Sequence, residues 1–311
     1  MTVRIIGAGM AGLLAGSMFR GQAQIYESAP SLPNNHHALL RFRSDGISNH
    51  LNIPFQAVDV VKIVRPFRNR VAEAISYSMK SSGVAALRSS MSAEGKVDRR
   101  FIAPSDFIAQ LELHQMNPIK YGVKIEGRSW FDEAKEKGEP VVSTMPMPAL
   151  MSLLEYDNRS CFGYRHGWVI QAKMKMESKA CATIYYPETD SPVIRATLTN
   201  SLLQIELIEK YLDQDQRWTI DQVMEFVTHD FGLEKVEYEA ELKAQKYAKI
   251  TPIPERERRK FMMWATDNFG VYSLGRFATW KPGLLLDDVF WDVIKIQQMI
   301  NSGENYDGRL K

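Results

Sequence analysis

Six residues near the start of the chain, Gly7-Ala8-Gly9-Met10-Ala11-Gly12, limit its possible folds more than any other stretch. Before them, residues 3–6 form a short run rich in β-branched side chains, which predicts a buried parallel strand. After them, residues 13–20 continue with helical spacing, and a second apolar run ends in Glu27. A strand–turn–helix–strand unit with this spacing holds a dinucleotide, and each glycine has its reason. Gly7 allows the tight turn, Gly9 lets the backbone approach a pyrophosphate, and Gly12 lets the helix pack close to the strand. Met10 and Ala11 open a helix whose free N–H groups and partial positive charge face the phosphates. Glu27, with Ser28 beside it, stands where a carboxylate accepts hydrogen bonds from ribose hydroxyls and would repel a 2′-phosphate.

The motif alone does not separate FAD from NAD; its place at the beginning of a chain of 311 residues favours FAD. That length accommodates one large domain or two moderate ones. No apolar run approaches the ~18 residues that span a bilayer, so no membrane role is expected. The opening residues lack the layout of a signal peptide, and two cysteines, Cys161 and Cys181, suit reduced thiols. The expected location is therefore the cytoplasm, with no metal site. A net charge of +2 conceals an asymmetry: from Arg41 to Arg100 eleven bases face five acids, a net +6 that leaves −4 elsewhere. Such a segment fits an anionic partner, whether a cofactor pyrophosphate, a phosphorylated substrate or a nucleic acid held by Arg65, Arg68, Arg70, Arg99 and Arg100. A solvated basic face is the plain alternative.

Along the chain, the pair Arg41 and Arg43 brackets Phe42 at about the right distance to reach the cofactor phosphates, and His37 lies in the loop before it. Strands are expected at 58–64 and 121–125. A helix is expected over 107–114 with Ser105 as its cap, a helical or irregular stretch over 71–80, and a charged turn of helix or a loop over 132–138. The stretch PVVSTMPMP reads as a strand ending at Ser143 and Thr144, where ligands gather in doubly wound sheets. From residue 167 the texture changes to alternating patterns at 168–174, 181–187 and 193–207, a meander of antiparallel strands. Arg195 lies inside it, either facing a ligand or forming an ion pair. Alternation sends Tyr185 and Tyr186 to opposite faces, so only one can line a pocket. Helices follow at 219–231 and 255–263, with an extended stretch at 247–254.

Near the other end, GVYSLGRFATW reads as a strand closing in Gly275-Arg276, followed by a helix over 285–300. If that strand returns to the first sheet, Gly275 permits close approach to the cofactor and Arg276 reaches the diphosphate or the substrate. Leu286 and Asp287 open the next helix, whose dipole then points at the cofactor; Asp287 and Asp288 are more simply capping acids.

With both ends in view, the chain resembles the FAD-binding amine-oxidase-like superfamily, which includes protoporphyrinogen oxidases and UDP-galactopyranose mutases. Gly7, Gly9, Gly12, Glu27, the STMPMP strand end and GVYSLGRFATW carry the resemblance, and GRFATWKPGLLLDDV is similar to short bacteriophage flavoprotein-like sequences. The glycine pair that usually follows the acidic residue is missing. The resemblance implies an α/β fold: a Rossmann-like FAD-binding domain at 1–60, 100–150 and 245–311, and an inserted antiparallel substrate domain at 61–99 and 151–244. It further implies non-covalent FAD and oxidation of a C–N bond in an anionic or nucleotide-linked substrate, of which an amino-modified DNA base is one case. Substrate contacts would come from Tyr185, Arg195, Trp280 and Arg65, with Tyr185, Arg195 and His37 as catalytic candidates. A non-redox mutase acting on a nucleotide sugar, with Arg195 and Arg276 on its diphosphate, is the first alternative. A non-catalytic dinucleotide-binding protein is the second.

Overall fold

The computed structural model describes residues 1–32, 40–66, 69–87, 95–157, 160–208 and 218–303. Four short parallel strands build the first sheet: β1 (Val3–Ile6), β2 (Ala23–Tyr26), β6 (Val141–Ser143) and β12 (Val271–Ser273), in the order β12-β6-β1-β2. They are apolar and largely buried, as strands covered on both faces must be. Helix α1 (Met10–Phe19) lies on the face of Ile5 and Ile25, where Gly12 and Gly16 leave no room for a side chain. The opposite face carries Arg4 and Tyr26, packed on Trp130 of α5 (Ser129–Glu136), with α8 (Glu255–Phe269) beside β12. Helix α9 (Leu286–Ser302) packs against α1, so strands from both ends of the described chain share one core.

The second sheet has eight strands in the order β11-β7-β10-β9-β8-β4-β5-β3. Its members are β3 (Arg41–Phe42), β4 (Gln56–Val64), β5 (Val97–Ile102), β7 (Tyr164–Met174), β8 (Cys181–Tyr185), β9 (Val193–Thr199), β10 (Leu202–Ile208) and β11 (Tyr238–Ile250). The expected meander is present, with the long third run divided into a hairpin at Asn200, whose φ is +53°. The sheet is nonetheless mixed rather than antiparallel, because β4 pairs with β8 in parallel. It also takes all of β4 and β5, whereas the expected boundaries at 60 and 100 cut through both.

Alternation gives this sheet two unlike faces. Ala196, Leu198, Leu203, Ile205 and Ile170 face α7 (Ile220–Asp230), which is capped by Thr219 and Gln222. Thr183, Thr197, Gln204, Arg195 and Glu206 lie in register on the other face. Two local expectations are corrected, and a third, the helix from residue 71, is present. Residues 121–125 form no strand, only backbone bonds to the chain around Glu27, such as Val123 N–H to the Glu27 carbonyl. Helix α4 (Phe107–Leu113) begins after Asp106 rather than being capped by Ser105. Helix α3 (Arg70–Ser82) carries its cap on Asn69 and ends at Gly83 in the left-handed region.

Candidate functional site

Doubly wound sheets take ligands in the crevice outside the carboxyl ends of their strands, and here β1, β2, β6 and β12 end around the glycine turn. Gly7 has φ +96°, and a Cβ there would lie 2.4 Å from Thr144 Oγ1. A Cβ on Gly12 would lie 1.9 Å from the Gly7 carbonyl oxygen, so this position tolerates only hydrogen. Gly9 differs: beyond its chain neighbours, no atom of the described residues lies within 4 Å of where its Cβ would be. It is the N-cap of α1, no side chain caps that helix, and its first turn carries no acid. The first N–H groups of the helix therefore carry a partial positive charge that no side chain among the described residues caps. Glu27 is buried beside them. Its carboxylate accepts from Ala8 N–H at 2.6 Å, Ala29 N–H at 2.8 Å and Ser28 Oγ at 3.2 Å, which ties the turn to the end of β2.

The closing segment meets this turn directly. β12 continues through Leu274, whose N–H donates to the Ser143 carbonyl, into Gly275 at φ +90°. A Cβ on Gly275 would be 3.0 Å from Ala11 Cβ, so the two motifs from opposite ends of the sequence stand side by side. Thr144 Oγ1 donates to the Ile6 carbonyl at 2.7 Å. The hydroxyls of Ser143 and Ser273, paired in register, are buried without a partner. Arg258 holds the closing turn from behind through the Thr279 carbonyl, and Glu255 clamps its guanidinium. Asp287, in the first turn of α9, accepts from the backbone N–H groups of Arg43 and Ser44 at 3.0 and 3.1 Å. Asp288 accepts from Leu285 N–H, the expected cap, while Leu286 between the two is half-buried.

Above the crevice stands the polar face of the second sheet. Arg195 pairs with Glu206 across β9 and β10, and Lys249 of β11 completes the triad at 2.9 Å. Burial opposes ionisation of Glu206, yet Arg195 and Lys249 hold its carboxyl well below the usual range. Burial lowers Lys249, and the positive charges of Arg195 and Arg276 act in the same direction against Glu206. Arg276 thus links the crevice to the sheet electrostatically, and a contact between Tyr247 and Phe277 joins them sterically. Arg41 does not turn to the glycine motif. It leaves its short edge strand on the face opposite the buried Phe42 and donates to Thr183 Oγ1 at 2.6 Å and Thr197 Oγ1 at 3.3 Å. Arg43 is exposed, and the structure engages its backbone rather than its side chain.

Other expected residues fall elsewhere. Tyr185 and Tyr186 do take opposite faces, Tyr185 against Tyr77 and Tyr186 against Phe226. Trp280 is buried, edge-on to Phe162, with its indole N–H donating to the Thr251 carbonyl, so it packs the turn rather than lining the crevice. Arg65 is exposed and meets β8 only through its backbone. His37 and Arg68 lie outside the described residues. Much of the basic segment is spent internally: Lys62, Lys96 and Arg100 surround Asp98, and Arg99 pairs with Asp59. Both cysteines are free thiols. Glu206, Lys249, Thr183 and Thr197 were not foreseen. The one available signal was the Gln204–Glu206 alternation within an otherwise apolar strand.

No sequence-family model matches the chain, and no curated protein sequence does so. Solved structures do match in shape. A reduced UDP-galactopyranose mutase superimposes with a TM-score of 0.69 at 14% identity, covering 98% of this chain and 96% of that one. A fatty acid isomerase from P. acnes that produces CLA gives 0.58 at 13%, covering 95% and 98%. An aklavinone-11 hydroxylase solved with FAD and aklavinone gives 0.54 at 10%, covering 96% of this chain and 62% of that one. The chain has the mixed α/β fold of these proteins. No helix among its described residues is long and apolar enough to cross a membrane.

Proposed function

We propose that this chain is an FAD-dependent enzyme whose substrate carries an anionic group. The observation that carries this is the crevice at Gly9, open where Gly7 and Gly12 are filled, with Gly275 standing against Ala11 at its side. The uncapped start of α1, Met10, Ala11 and the Gly9 backbone would receive the diphosphate. Glu27 and Ser28 would receive the adenosine ribose, leaving Ser143, Thr144, Gly275, Arg276, Leu286 and Asp287 around the rest. When bound, FAD supplies hydride-accepting redox chemistry that no side chain of the protein can perform.

The chain's own residues hold and polarise the substrate. Arg41, Arg195, Lys249 and Arg276 set four cations against the single carboxylate of Glu206. That field attracts an anion. It also lowers the proton affinity of an amine brought near it, and a neutral amine is the form from which hydride is removed. We therefore assign oxidation of a C–N bond in an anionic or nucleotide-linked substrate as the first chemistry to test. A rearrangement of a nucleotide sugar is the second, favoured by the near-complete overlay on the mutase.

Absorbance of the purified protein decides the cofactor: bands near ~370 and ~450 nm are expected, and a colourless protein that takes up no FAD rejects the proposal. Anaerobic mixing then separates the chemistries. Bleaching by an amine indicates oxidation, whereas turnover that requires prior reduction and consumes no electrons indicates the mutase type.

A further inference from the structure

Arg41 is a cation without a counter-ion. Among the described residues it forms no salt bridge; the cations Arg195 and Arg100 repel its charge, and Tyr185 and Cys181, neither a carboxylate, act the other way. Its donors reach only the neutral hydroxyls of Thr183 and Thr197, and its Nη1 is buried with no partner. The neighbouring Arg195 has its Nε in the same condition, and the Thr199 hydroxyl, two residues beyond Thr197 on the same side of β9, is also buried without a partner. Burial, reinforced by Arg195, lowers the Arg41 guanidinium to about 10. Burying a charge in this way costs stability unless something neutralises it, and the strand on which Arg41 sits could hold a neutral residue at no such cost.

We infer that Arg41, seated between Thr183 and Thr197 on the polar face of the second sheet, binds one anionic headgroup of the substrate, a carboxylate or a phosphate. The inference rests on the crevice being the reaction site, and it makes the acid group of the substrate a recognition handle set apart from the reacting atoms. The unpartnered Nη1 supplies a charge-assisted donor to either anion, while Nη2 is held by the two threonine hydroxyls. The surroundings are suited to a ligand rather than to the resting fold, because the donors are in place and the acceptor is missing.

The test follows the thermal midpoint of the purified holoprotein in sodium phosphate, sodium propionate and sodium chloride at matched ionic strength. Flavin absorbance is recorded on every sample. Phosphate or propionate at a hundred times its Kd is expected to raise the wild-type midpoint by roughly 4 °C over chloride, and the more effective of the two names the headgroup. Arg41→Met should abolish the response while leaving the chloride midpoint equal to or above wild type, since it removes an unpaired buried charge. The double variant Thr183→Val/Thr197→Val should weaken the response, and Arg99→Gln, on an exposed pair, should leave it intact. A response that survives Arg41→Met, or equal midpoints in all three salts for wild type, overturns the proposal. So does an Arg41→Met protein that loses flavin but still responds, because Arg41 then serves the cofactor. A wild type without flavin that still gives the Arg41-dependent response rejects the cofactor assignment and leaves the anion site standing.

Discussion

Gly9 and Gly12 look alike in the motif but perform separable tasks. Gly12→Ala drives a methyl into the Gly7 carbonyl and must push α1 off β1, a backbone clash that should cost ~3 kcal/mol or more. Gly9→Ala meets no atom, and its φ of −70° suits alanine, so the midpoint should hold while FAD affinity falls at least tenfold. Thermal melts paired with FAD titration distinguish the two, and equal loss of stability would contradict the open crevice. Lys80 offers a second test at this scale. Its ammonium is buried on the carbonyls of Tyr186 and Val193, and burial lowers it to about 7 from 10.5. Because the folded pKa is the lower one, the unfolded chain binds more protons between these values, and stability rises with pH from about 7 toward 10.5. Urea midpoints at pH 6.5 and 9 should differ by on the order of 2 kcal/mol in wild type, and Lys80→Met should flatten the difference. The glycines and Glu27 were legible because their constraints are local. Arg195 could be read as one end of an ion pair, but its partners Glu206 and Lys249 could not be named, since strand register alone brings the three together.

Helix α9 does more than cover α1. Asp287 fixes the backbone of residues 43 and 44, and so sets where the edge strand bearing Arg41 must run. Asp287→Ala leaves two N–H groups without their acceptor and should cost roughly 2–3 kcal/mol by urea unfolding, with Asp287→Asn recovering part of it. An Ala variant as stable as wild type would remove this link. Element reading from sequence succeeded where apolar spacing was strong, as in α7 and β6. It fell short at β11, where YEAELKAQKYAKI is rich in Glu, Lys and Ala, residues with little intrinsic preference for strands. Pairing with β7 along nearly its whole length makes it a strand, which is a tertiary effect. Residues 121–125 failed in the opposite direction: a short apolar run with no sheet edge to join remains irregular.

For the molecule as a whole, the decisive contact is the one between residues 11 and 275. Gly275→Val places a branched side chain at φ +90° against Ala11 Cβ, and both the conformation and the space oppose it. Flavin content should fall sharply while the second sheet, whose strands pair among themselves, retains its circular-dichroism signal. Full flavin occupancy in this variant would show that the two ends need not touch. The parallel sheet itself was foreseeable from its glycines and strand ends; the mixed second sheet was not, because nothing local marks β4 and β8 as parallel neighbours.

The order of the strands in the first sheet also bears on how the protein is made. Its two edge strands are 23–26 and 271–273, so a nascent polypeptide emerging from the ribosome carries a half-built cleft for most of its synthesis. One wall of that cleft does not exist until translation has passed Gly275. Cofactor loading is thereby deferred until Gly275 has been made, and a polypeptide terminated before it would lack the means to retain the cofactor.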